Sequence, residues 1–88
     1  MKTAFRKSFV RDLKRIKNRE LWGRIQLTIE HVESADSLDH IADVKKLGSA
    51  DQAFRIRVGD HRLGIIVTGD CVEFVRCLHR RDLYRFFP

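Results

Sequence analysis

Seven residues near the end of the chain, His79-Arg80-Arg81-Asp82-Leu83-Tyr84-Arg85, bring together one imidazole, three guanidinium groups and a phenol. Metal-free phosphoryl chemistry on RNA needs few other parts. One group must orient or deprotonate a 2′-OH. Another must protonate the leaving 5′-oxygen, and cations must stabilise the dianionic phosphorane between them. Arginine supplies the cation. Tyr, His or Arg held in an unusual environment supplies the proton transfer. The competing reading is structural, with Tyr84 as a packing residue.

A second cluster stands upstream, in Phe54-Arg55-Ile56-Arg57-Val58-Gly59-Asp60-His61-Arg62-Leu63. Apolar and arginine residues alternate, so Phe54, Ile56 and Val58 take one face of a strand and Arg55 and Arg57 the other. Gly59-Asp60 reads as a two-residue turn, and glycine in the first central position suits type II′. That turn sets Val58 opposite His61, Arg57 opposite Arg62 and Arg55 opposite Gly64. Arg57 and Arg62 become cross-strand neighbours of like charge, which destabilises the pair unless an anion lies between them. Gly64 leaves a bare patch beside Arg55 where a ligand backbone could approach. The hairpin therefore reads as a phosphate site. Its plain alternative is a solvated sheet face with each guanidinium pointing into water.

Composition favours the first reading. The chain of 88 residues carries 18 Lys+Arg against 12 Asp+Glu, a net charge of +6. Beyond Lys46 all seven basic Lys/Arg positions are arginine, the residue suited to planar, bidentate contact with phosphate or carboxylate. Such a surface points to nucleic acid or an acidic protein as partner. The length gives one domain, 1–88, with a small core. The longest nearly apolar run, Leu63 to Val67, is far too short to span a bilayer. The charged N-terminal segment has no apolar signal region, which predicts a cytoplasmic protein. Cys71 and Cys77 fall on one strand, about 20 Å apart at strand rise, so they cannot bridge. They read as two small buried thiols. No Cys/His spacing resembles a zinc site, and no cofactor is implied.

These residues need a scaffold. Lys2 to Lys7 reads as a first strand. Ser8 is the expected N-cap of a helix to about Lys17, with Phe9, Leu13 and Ile16 on its inner stripe. A second helix from about Glu20 to Ser34 carries Leu21, Ile25, Ile29 and Val32, and the short joint at Asn18 predicts an antiparallel helical hairpin. Ser34 to Asp43 reads as a loop with one helical turn, Val44 to Leu47 as a strand, and Gly48 to Gln52 as a loop. The strands Phe54–Val58, His61–Thr68 and Cys71–Leu78 follow, joined by tight turns. The segment His79 to Phe87 is either a last helical turn or an extended piece. The expected fold class is α+β: an antiparallel β-sheet in the order β-α-α-β-β-β-β, the helical hairpin on one face and a short C-terminal tail.

Strand, helix pair, the motif Phe54 to Arg62, and a strand ending in His79-Arg80-Arg81-Asp82-Leu83-Tyr84 together resemble the RelE/ParE superfamily of toxins from type II toxin–antitoxin pairs. The resemblance covers nearly the whole chain. Its RelE branch implies a ribosome-dependent endonuclease that cuts mRNA in the A site without metal, by 2′-OH attack on the adjacent phosphate. Arg55 and Arg57 map to the basic residues of the first hairpin strand, Arg62 to the arginine opening the next, Arg80 or Arg81 to the arginine before the final tyrosine, and Tyr84 to that tyrosine. Arg80, four before Tyr84, is the preferred acid or clamp. His79 is the alternative proton donor, and His61 flanks the turn. Lys45 and Lys46 join Arg55 and Arg57 as expected RNA phosphate contacts. Several RelE members have lysine where this chain has Arg55 and Arg57; arginine keeps the charge but is harder to deprotonate. The implied partners are a cognate acidic antitoxin, forming a toxin–antitoxin hetero-oligomer, and mRNA on the ribosome, with no membrane. The ParE branch implies a different function, inhibition of DNA gyrase without cleavage. A non-catalytic RNA-binding protein is the third reading.

Overall fold

The computed structural model describes residues 1–48 and 51–88, so Ser49 and Ala50 of the expected Gly48–Gln52 loop lie outside the described residues. In chain order the elements are β1 (Lys2–Phe5), α1 (Lys7–Lys14), α2 (Arg19–Ser34), a 3₁₀ turn (Leu38–His40), β2 (Val44–Lys46), β3 (Ala53–Val58), β4 (His61–Thr68), β5 (Cys71–His79) and α3 (Leu83–Phe86). The strands form one sheet in the order β1-β5-β4-β3-β2. No helix among the described residues is long and apolar enough to cross a membrane.

The sheet is mixed rather than wholly antiparallel. β2 to β5 form an antiparallel meander, but β1 pairs parallel to β5, with Lys2 opposite Cys71 and Phe5 opposite Phe74. The reason is topological. The two helices carry the chain from one sheet edge to the other, and β2 starts antiparallel to β1. Three reversals later, β5 arrives beside β1 running the same way.

Both helices cover one face, where Phe9, Ile25 and Val32 join Ile56, Val58, Leu63, Ile65, Val72, Phe74 and Cys77 in the main core. Leu13, Ile16, Leu21 and Ile29 pack around its rim. α1 lies along β5, and α2 lies over β3 and β1, so each helix is placed chiefly by the sheet. The cap of α1 is not Ser8. Arg6 takes the N-cap position, and the Ser8 hydroxyl donates to the Val75 carbonyl at 2.6 Å, tying the helix start to β5. The helix stops at Lys14 instead of Lys17. At α2, Asn18 does cap: its side-chain oxygen accepts from the Leu21 N–H at 3.1 Å, the bond an Asx N-cap is suited to make.

A charged residue locks α1 to β5. Asp12, 3% exposed, accepts from Arg76 Nε at 2.7 Å, Arg76 Nη2 at 3.2 Å and the Cys77 N–H at 3.0 Å. These three hydrogen bonds, two of them from a guanidinium, offset the cost of burying the carboxylate. Burial, then Asp12, pushes the Cys77 thiol up to about 12, so it is an inert core group at neutral pH. Cys71 is only half-buried, and both cysteines are free.

The opposite face has a small core of its own, built from Leu47, Ala53, Val75, Leu83 and Phe87, with Ile66 and Leu78 beside it. The tail docks here as α3. Its anchor corrects the reading of Gly64 as a bare patch for a ligand: the Phe87 ring fills that space. A Cβ at position 64 would stand 2.8 Å from Phe87 Cγ and Cδ2. Gly64→Ala is therefore expected to cost about 1–3 kcal/mol, the usual scale of overpacking, read as a lower urea midpoint. An unchanged midpoint would show that Phe87 does not need the missing side chain.

A bulge completes the scaffold. Ile65 pairs with Phe74 while Gly64 pairs with Arg76, so Val75 is the extra residue. Val72 and Phe74 face the helices, Val75 turns to the tail core, and Cys77 faces the helices again. Arg76 thus stands between the layers. It binds Asp12 on α1, and its guanidinium carbon lies 5.5 Å from the centroid of the Phe86 ring on α3.

Candidate active site

The hairpin is in the expected register, with Val58 opposite His61, Arg57 opposite Arg62 and Arg55 opposite Gly64. Gly59 has φ +59°, and among the described non-glycine residues only Asp43 has positive φ, so the φ signs at Gly59 and Asp60 fit type II′. Ile56, Val58, Leu63 and Ile65 point into the main core. Alternation puts Arg55, Arg57 and Arg62 together on the other face, the one on which the tail docks.

The like charges are managed by a residue outside both arginine-bearing motifs. Asp43 adopts φ +64°, a left-handed conformation that aspartate tolerates better than most side chains. Its carbonyl accepts from Arg55 Nη1 at 2.9 Å and from the Arg57 N–H at 3.1 Å, and its Oδ1 lies 3.3 Å from Arg57 Nη2. Lys45 pairs opposite Arg55 and shares its face. Lys46 pairs opposite Phe54, which belongs to the helix side, and its Nζ lies 3.9 Å from Asp51 Oδ1. Lys46 is thereby separated from the arginine face.

Arg62 folds back on the turn, its Nη1 donating to the Gly59 carbonyl at 2.9 Å and the His61 carbonyl at 3.0 Å. Its pKa is lowered, first by burial and then by the positive charges of Arg55 and Arg57, with Arg80 acting the same way more weakly. Tyr84, on the docked tail, acts on it in the opposite sense. The tail is tied to the turn by the Arg80 N–H, which donates to the Asp60 carbonyl at 2.7 Å. Arg80, Arg62, Arg57 and Arg24 line one cleft of about 410 Å³ together with Asp43 and the turn.

Arg81 is turned elsewhere. Its N–H and Nε both donate to His79 Nδ1, at 3.2 and 3.3 Å. His79 stands opposite His61, the two rings edge to face with centroids 5.7 Å apart. They border a second pocket with Asn18, Leu21 and Arg24 on the helix side of the turn. Burial, then His79, lowers the His61 pKa, with Asp60 opposing. Of the expected site residues, the structure thus sets Arg55, Arg57, Arg62 and Lys45 on one face with Arg80 at the same cleft, carries Tyr84 on the tail that docks on that face, and sets His79, Arg81 and Lys46 apart. Tyr84 is 63% exposed while its neighbour Leu83 is fully buried. Leu83 holds α3 down, and the phenol is presented to solvent rather than used for packing. Chemically, the face offers several fixed cations for a phosphate and a hydroxyl for proton transfer. Among the described residues no His, Cys, Asp and Glu group has a metal-binding arrangement.

No family model matches the sequence. Over 89 aligned positions the chain is 43% identical to the toxin RelE3 of Methanocaldococcus jannaschii, an alignment that covers all of both proteins. It superimposes on a chain of the RelB–RelE antitoxin–toxin complex from Methanococcus jannaschii with a TM-score of 0.81 and 41% identity, covering 97% of this chain and 99% of that one. The YoeB dimer of Staphylococcus aureus shares the fold, with a TM-score of 0.73 at 17% identity, over 90% of this chain and 95% of the YoeB chain.

Proposed function

The chain belongs to the RelE family of toxins from type II toxin–antitoxin pairs, and from that premise we propose that it is an endoribonuclease that cuts mRNA on the ribosome. The observation that carries this reading is the convergence of Arg57, Arg62 and Arg80 on one cleft, on the sheet face where the tail that bears Tyr84 docks. Tyr84 orients or deprotonates the 2′-OH that attacks the adjacent phosphorus. The P–O5′ bond breaks, the departing 5′-oxygen takes a proton from Arg80 or from water, and the products are a 2′,3′-cyclic phosphate and a 5′-OH. Arg62 and Arg80 stabilise the dianionic phosphorane and the oxygen that departs from it. Arg55, Arg57 and Lys45 hold neighbouring phosphates along the same face. Its antitoxin, by the same charge logic, is an acidic chain that neutralises the net charge of +6.

The test is expression of this chain without an antitoxin, followed by primer extension on transcripts. The expected result is growth arrest with new 5′ ends inside translated regions. Intact transcripts accompanied by gyrase-linked DNA breaks would replace this reading with the ParE type.

A further inference from the structure

The arginine cleft has one wall that belongs neither to the hairpin nor to the tail. Arg24 projects from the second turn of α2, next to Ile25, which is buried in the main core and fixes the helix on the sheet. Its guanidinium lies over the β3–β4 turn: a Cβ at Gly59 would stand 2.9 Å from Arg24 Nη1. Arg24 borders the cleft with Arg57, Arg62 and Arg80, and also borders the pocket of His61 and His79 on the helix side. It therefore marks the ridge between the two hollows.

The charges in the cleft are unequally occupied. Arg57 is paired with Asp43, and Arg62 donates to two carbonyls. Among the described residues, the side chains of Arg24 and Arg80 make neither a hydrogen bond nor an ion pair. Two forked cations with their side-chain donors unengaged, brought to one cleft from α2 and from just beyond β5, suit two successive phosphates of one strand better than a single ion. A guanidinium takes a phosphate bidentately, and neutralising a backbone phosphate releases counterions.

We propose that Arg24 binds an RNA phosphate flanking the one held by Arg62 and Arg80, and so leads the strand over the Gly59–Asp60 turn. This rests on reading the cleft as an RNA site. Binding and cleavage are therefore measured separately. The probe is a 2′-O-methyl oligoribonucleotide, which has no 2′-OH to attack, titrated at several salt concentrations. Arg24→Ala is expected to weaken its binding about tenfold at low salt and to reduce the salt slope by about 0.7, the share of one single-strand phosphate. Arg24→Lys should restore most of the slope, and Lys17→Ala, exposed beyond both hollows, should leave it unchanged. An Arg24→Ala slope equal to the parent's, a loss equalled by Lys17→Ala, or no binding of the probe by the parent would overturn the assignment. If the Arg24 slope changes but the parent fails to cut translated mRNA, the nuclease reading falls while Arg24 remains a phosphate contact.

Discussion

Replacing Arg62 by alanine is expected to slow single-turnover mRNA cleavage on saturated ribosomes by roughly 10²–10³-fold, the scale for one preorganised charge-stabilising donor. The size follows from preorganisation. Arg62 is held by two carbonyls at the turn, so little reorganisation is needed when charge develops on the phosphate. It also stands against Arg55, Arg57 and Arg80 in a field that disfavours another cation. An incoming dianion relieves that repulsion, and relieves it most when its charge is greatest, in the transition state. Arg62→Lys keeps a charge but has no fork to hold the turn and a phosphate together, so it should recover only part of the rate. Urea denaturation separates chemistry from folding: losing two hydrogen bonds to the turn carbonyls is expected to be offset in part by relief of the repulsion from Arg55 and Arg57, so the midpoint should move far less than the rate. A normal rate in Arg62→Ala would remove Arg62 from the site.

The hairpin was legible in the sequence because its constraints are local. A two-residue turn fixes the register of everything beside it, and strict alternation then fixes the face of each arginine. The parts that were not legible depend on distant contacts. His79 is the clearest case. Had β5 kept the alternation of Val72 and Phe74, His79 would point to the arginine face beside Arg62. The bulge at Val75 reverses the parity and sends His79 to the helix side, opposite His61. The only sequence sign is the adjacent apolar pair Phe74-Val75, which is equally consistent with a strand buried on both sides. Gly64 is similar. Its lack of a side chain signals a close approach, but what approaches is Phe87, a residue 23 positions on. Asp43 and Arg24 reach the site from outside both motifs. No spacing within β3, β4 or the tail could have announced them. The antiparallel expectation failed only at β1, where pairing depends on the number of chain reversals rather than on any residue.

Tyr84→Phe is the sharpest division between chemistry and packing. It retains the ring and removes one hydroxyl. The structure already limits the packing argument, since the ring is mostly exposed and α3 is held by Leu83 and Phe87 on either side of it. The hydroxyl is worth more than the ring if it orients or accepts the proton of the attacking 2′-OH. On that reading, cleavage in a single turnover falls by ~10² or more, the scale of general acid–base catalysis. Ribosome affinity should stay nearly unchanged, because the phosphate contacts are supplied by arginines. The kinetic signature is thus a loss in rate at saturation without a rise in the half-saturating concentration. The tail arginines give the comparison. Arg81 is engaged by His79, so Arg81→Ala should leave the saturated rate close to the parent's, whereas Arg80→Ala should reduce it as Arg62→Ala does. If Tyr84→Phe cuts normally while Tyr84→Ala unfolds the tail, the phenol is a packing group. Proton transfer must then be sought in Arg80 or in His79. For His79 the sheet would have to admit substrate from the helix side, past Arg24.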